Sequence, residues 1–257
     1  MSRGERVLAG MLLVFGGAIA VQALRTKRQA AVAPAARQRT GDDSSYNVPL
    51  RHTAAERMKR AVERAAQVRT LIAASAGGTF IEEVLDQNDS TVRHWASSGG
   101  APVAVWVQVP ATLAGHRAAH GALVRQAFET WSSADGVPVR FAMSDDSAQA
   151  SVHVVWTTSF ADQRIGLTRI DAVNDTIRTS TITIATLRGD GTALGEADIA
   201  RCALHEVGHL LGLAHTADST SIMAAESARP QLSPRDRATI RLLYALPVGS
   251  IKAGAIW

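Results

Sequence analysis

Residues 205–215 read HEVGHLLGLAH and hold the densest set of chemically able side chains in the chain. His205 and His209 are four positions apart, so on a helix they leave one face about one turn apart. Two imidazoles so placed reach a single metal at the roughly 2.0–2.1 Å that zinc prefers. Gly212 follows three residues later, where a glycine tolerates the left-handed backbone that stops a helix and brings His215 round as a third ligand. Three protein ligands leave one position for water, the arrangement of a catalytic zinc site and not of a closed structural one. Glu206, beside the first ligand, is placed to take a proton from that water as the metal lowers its pKa. These types and spacings suit metal-assisted hydrolysis with Glu206 as general base. A helix carrying solvated histidines is the bland alternative, and the later glycine and third histidine weigh against it.

The remaining histidines carry less. His116 and His120 are four apart within an expected helix, but no acid or third ligand accompanies them. His153 falls in an expected strand, while His52 and His94 lie in the N-terminal region; all three read as structural or solvated. No Gly-rich phosphate loop or nucleophile elbow is present.

The elements that must position the site follow from periodicity. Residues 103–109 (VAVWVQV), ending at Pro110, form a first strand. An amphipathic helix over 115–133 carries Leu123, Ala127, Phe128 and Trp131 on one side. Strands are expected over 137–143, 151–156, 165–170 and 176–186, with Asn174-Asp175 as the turn between the last two, and the motif helix starts near Glu196. That order predicts an α+β fold with a mixed sheet backed by helices on one side. Upstream, residues 50–75 are helix formers with Met58, Val62, Ala65/Ala66 and Val68/Leu71/Ile72 on an apolar stripe, Thr53 and Glu56 offering a capping box. Gly77-Gly78 breaks it, and 79–95 reads as a second helical segment.

Charge is unevenly distributed. Residues 1–70 carry 13 Lys/Arg against 5 Asp/Glu, and the rest carry 14 against 18. The basic character therefore belongs to the N-terminal arm, and a slightly acidic body argues against nucleic acid as partner. A single cysteine, Cys202, excludes an intramolecular disulfide. Val7 to Leu24 is an uncharged, apolar run of eighteen residues behind a basic start, which fits a signal peptide with Val21-Gln22-Ala23 as cleavage site, or a short membrane anchor. Arg25, Lys27 and Arg28 after the run favour a cytoplasmic C-terminal side, the opposite of what an exported enzyme needs. Residues 25–49 read as a solvated linker.

On His205, Glu206, Gly208, His209, Gly212 and His215 the chain resembles the metzincin clan of metallopeptidases, and within it the matrixin family. Ser221-Ile222-Met223 lies where matrixins place their methionine turn, and Leu232-Ser233-Pro234-Arg235-Asp236 through Ile240, Leu243 and Tyr244 is similar to their C-terminal helix. The resemblance covers about 100–247. It implies a zincin fold, with a mixed twisted sheet, an active-site helix and a C-terminal helix. It also implies a zinc endopeptidase whose extended substrate lies antiparallel to an edge strand, here around 165–170. Met223 would be a hydrophobic base under the zinc, and Asp236 either the helix acid that bonds near that turn or a plain solvated acid. There are departures. Residues 150–190 lack the His/Asp cluster of a second, structural zinc, so one Zn2+ is expected, and nothing speaks for calcium. The pro-segment cysteine switch is missing, Cys202 being better read as a buried, inert thiol. Ala224-Ala225 replace the usual proline and tyrosine.

The expected organisation is a signal peptide or anchor (1–24), a linker (25–49), a helical N-terminal segment that serves as a pro-segment or packing element (50–97), a catalytic domain (100–247) and a tail (248–257). The leading function is endopeptidase action on a protein or peptide substrate by an exported chain, either secreted or anchored with its catalytic domain outside the cytoplasm. The alternatives are a non-catalytic, membrane-tethered zinc protein with a degenerate protease fold, and a zinc hydrolase acting on something other than peptides.

Overall fold

The computed structural model describes residues 53–96 and 101–252. The apolar run Val7–Leu24 and the linker lie outside the described residues. Among the described residues no helix is long and apolar enough to cross a membrane.

The chain begins with α1 (Ala54–Ser75), whose N-terminus closes on the expected Thr53/Glu56 capping box. Its buried stripe is Ala61, Ala65, Val68 and Ile72, while Met58, Val62 and Leu71 face solvent. Of the expected stripe, Ala65, Val68 and Ile72 are thus buried and Met58, Val62 and Leu71 are not, while Ala61 joins the buried side. The expected second helix is shorter than 79–95: α2 covers only Ile81–Gln87, and the chain then forms β1 (Thr91–Val92) and β2 (His94–Trp95). Asp89 and Ser90, both at positive φ, end the helix.

The main sheet comprises β3 (Val103–Val107), β4 (Phe141–Met143), β5 (Val152–Thr157), β6 (Gly166–Val173) and β7 (Thr176–Ala185), with β2 paired to the start of β7. In space β4, β3, β5 and β7 run parallel, and β6 pairs antiparallel with the far side of β7. Val152, Val154 and Trp156 are buried and alternate with partly exposed neighbours on β5. That period of two puts one sheet face into the core. Asn174 and Asp175 both take positive φ, the two-residue turn whose twist matches a β-hairpin, so β6 folds back as an edge strand in register Val173↔Thr176. The strand expected over 137–143 is confined to 141–143, since Pro138 lacks the N–H a ladder needs.

Three helices pack with this sheet: α3 (His120–Ser132), α4 (Glu196–Leu210) and α5 (Pro234–Ala245). α3 starts at His120, so His116 lies in the preceding turns and the two histidines do not share a helix face. The His116 ring stands edge-on to His120 at 5.3 Å and to Trp156 at 4.9 Å, an aromatic cluster. Val124, Ala127, Phe128 and Trp131 of α3 are buried in one core with Ile199, Ala203 and Val207 of α4. The Trp131 indole N–H donates to Leu204 O at 2.8 Å and pins the two helices together. Residues expected as a tail contribute β8 (Gly249–Ser250), antiparallel to β1.

Candidate metal centre

α4 presents two faces with different tasks. Ile199, Ala203, Val207 and Leu210 are buried in the core, while His205 and His209 turn towards a cleft of about 1250 Å³. One wall of the cleft is edge strand β6, with Gly166, Leu167 and Thr168; the opposite wall is Ala225 to Ala228. Gly208, between the two histidines, backs onto Met223: a Cβ there would collide with the Met223 sulfur. The helix stops as the sequence requires. Gly212 sits at φ +103, and the bonds Leu213 N–H to Gly208 O (3.1 Å) and Gly212 N–H to His209 O (2.9 Å) close a Schellman turn. The reversed chain then returns His215 to the cleft.

The three imidazoles converge. Nε2 of His205 lies 3.0 Å from Nε2 of His209 and 3.2 Å from that of His215, and the last two are 3.2 Å apart. Outside the triangle, Nδ1 of His205 meets Ile222 O at 2.7 Å and Nδ1 of His209 meets Leu213 O at 2.8 Å. A ring nitrogen facing a carbonyl must carry the proton, so both Nε2 lone pairs point inward. Lone pairs set against one another repel unless a cation lies between them. A tetrahedral ion at about 2.0–2.1 Å holds its nitrogens about 3.3–3.4 Å apart, and the observed edges are within a few tenths of that. The donor set fits zinc. Burial favours the neutral, metal-binding rings: it is the first cause in lowering all three, with His209 brought to about 3.

Glu206 lies beside the triangle, 5% exposed. Burial pushes its carboxyl up to about 7, opposed by the Thr168 hydroxyl and by Arg164. Thr168 Oγ1 donates to Glu206 Oε2 at 2.7 Å across the cleft. Behind His205, the Met223 side chain is fully buried, and the turn before it is held from α5. Asp236, also fully buried, accepts from Ser221 Oγ, from Ile222 N–H at 3.1 Å and from Ser233 N–H at 2.7 Å. Of the two readings of Asp236, the solvated one is therefore excluded. Cys202 is 4% exposed, its thiol pushed well up by burial and bonded to Ile165 O at 3.3 Å.

Every residue expected at the site lies there: His205, Glu206, His209, Gly212, His215 and Met223. Sequence reasoning missed Thr168, and it missed Glu83 and Gln87 of α2. Gln87 Nε2 donates to His215 O at 2.7 Å, and Glu83 accepts from Ala217 N–H at 2.7 Å. A threonine on a strand or a glutamine on a helix carries no signal of its own, so only the fold could reveal them.

Fold and cluster together are those of a zincin-type metallopeptidase. The family model for matrixin matches residues 106–245, more than half of the 257-residue chain, and the chain belongs to that family. No curated protein matches the chain.

Proposed function

We propose that the chain is a zinc-dependent endopeptidase in which His205, His209 and His215 hold one zinc ion and Glu206 is the general base. The observation that carries this is the triangle of inward-facing Nε2 atoms beside a buried carboxylate. When bound, zinc supplies Lewis acidity, polarising a carbonyl and lowering the pKa of water. The protein's own groups do the rest. Among the described residues, edge strand β6 pairs on one side only, with β7, so the backbone groups on its other side hold an extended segment as an added antiparallel strand. Glu206, oriented by Thr168, takes the proton from water and passes it to the leaving amine. The burial that raises its pKa makes it a stronger base once ionised. The apolar run Val7–Leu24 supports export, cleaved or as an anchor; the N-terminal residue of the mature protein decides between these.

Glu206→Gln keeps the shape and the Thr168 contact but removes the base. Peptide cleavage should fall about 10²–10⁴-fold while zinc content stays at one per chain, and a chelator should abolish wild-type cleavage. Cleavage that survives the chelator or the substitution sinks this mechanism. A zinc-loaded protein that cleaves no peptide favours the non-catalytic reading.

A further inference from the structure

The three histidines all lie within the residues matched by the family model, yet the loop that carries the third is held from outside them. α2 runs alongside it. The Gln87 side-chain amide grips the His215 backbone on both sides, donating to His215 O at 2.7 Å and accepting from His215 N–H at 3.2 Å. One turn earlier, Glu83 accepts from Thr216 Oγ1 at 3.0 Å and from Ala217 N–H at 2.7 Å. Arg235 of α5 locks the arrangement, reaching Asp218 at 3.3 Å and donating to Thr79 O at 2.8 Å.

The same segment also holds the end of α4. Trp95 Nε1 donates to Leu210 O at 2.9 Å, taking up one of the carbonyls that a helix C-terminus leaves open. The Arg93 carbonyl occupies the place where a Cβ on Gly212 would stand. Phe80, Ile81, Val84, Leu85, Val92 and Trp95 are buried in the common core. Residues 79–95 thus touch the helix end, the Gly212 turn and the His215 loop in succession.

We propose that residues 79–95 are a permanent part of the metal centre and not a detachable pro-segment, with Gln87 and Glu83 as positioning residues for His215. The inference rests on the reading of His215 as a zinc ligand. His205 and His209 are fixed by helix α4, whereas His215 sits on an irregular loop and is exposed. Its place depends on whatever holds its backbone. Groups that orient a ligand typically matter 10–100-fold in metal affinity.

The test uses the full chain and three variants, Gln87→Ala, Glu83→Ala and the double substitution. Zinc affinity is measured by competition with a chromogenic chelator, well below the melting temperature. Amide hydrogen exchange at residues 215 and 217 is followed in the metal-free protein. The double variant should bind zinc about tenfold or more weakly. Exchange should speed up at His215 in Gln87→Ala and at Ala217 in Glu83→Ala, each without the other. Gln87 is exposed, so its single variant gives the answer should the double variant not fold, and it should weaken zinc binding about threefold by loss of roughly one net hydrogen bond. Glu83→Gln, which keeps an acceptor for Ala217 N–H, should recover most of the affinity lost in Glu83→Ala. Variants that melt earlier but bind zinc like wild type overturn the positioning role. Wild-type protein that binds no zinc overturns the three-histidine reading and the clamp with it.

Discussion

Thr168 and Glu206 meet across the cleft at 2.7 Å, from elements 38 residues apart in sequence. A hydrogen bond to a charged group is worth about 1.5–3 kcal/mol, and here it fixes the direction of the Glu206 carboxyl, the proposed base, as well as stabilising it. Thr168→Val keeps the shape of the side chain and removes only the donor. Turnover should fall about 10- to 100-fold, the size of that bond, while KM changes little because β6 keeps its backbone free for substrate. Thr168→Ser, which restores a hydroxyl, should recover most of the rate. Steady-state kinetics on one peptide decide this. A loss confined to KM would mean that Thr168 serves substrate binding, and equal rates for Val and Ser would leave the hydroxyl without a role.

At the scale of elements, helix α5 helps to orient His205, a proposed zinc ligand, through the turn before Met223. Asp236 caps its own helix through Ser233 and at the same time holds Ser221 and Ile222, whose carbonyl accepts from His205 Nδ1. Asp236→Ala leaves the Ile222 N–H and the Ser221 hydroxyl buried without their partner, a cost of about 1–3 kcal/mol per group. Urea unfolding of metal-free protein should show a total loss of roughly 3 kcal/mol. Asp236→Asn, whose oxygen still accepts from both N–H groups, should lose about half as much; equal losses would mean that only the volume of the side chain matters. The capping box over Thr53 and Glu56 was legible because it is local, and so were the β6–β7 turn and the stop at Gly212. The buried stripe of α1 was legible only in part, at Ala65, Val68 and Ile72, and the strands β1 and β2 were not legible. Which face of an alanine-rich helix is buried, and whether two residues form a strand, depend on partners such as Thr176 and Ile177, more than eighty positions away. The candidate site was readable for the same reason: its proposed ligands and base span only residues 205–215, while the groups that orient them come from β6, α2 and α5.

For the whole molecule, the site gathers groups whose protonation differs between the folded and unfolded chain. In metal-free protein His209 has a pKa of about 3 instead of 6.5, and His205 and His215 are lowered too. Between pH 3 and 6.5 the unfolded chain therefore takes up protons that the folded one refuses, and stability falls as the pH falls through that window. Glu206 has the opposite sign. Its folded pKa of about 7 lies above the ordinary 4.5, so between these the folded state keeps a proton the unfolded state has lost, and stability falls as the pH rises. Three histidines outweigh one carboxyl, so the urea midpoint of metal-free protein should rise from pH 4.5 to 6.5. In Glu206→Gln the opposing contribution is gone, so the rise should be steeper. At pH 8 the variant should be the more stable of the two, by roughly 3 kcal/mol at most for a 2.5-unit shift. Zinc should raise the midpoint of both proteins above pH 7, since it binds only the folded state, and lose that effect on acidification as protons take the ligand nitrogens. Parallel pH profiles for wild type and Glu206→Gln without metal would show that the buried carboxyl does not carry the strain assigned to it.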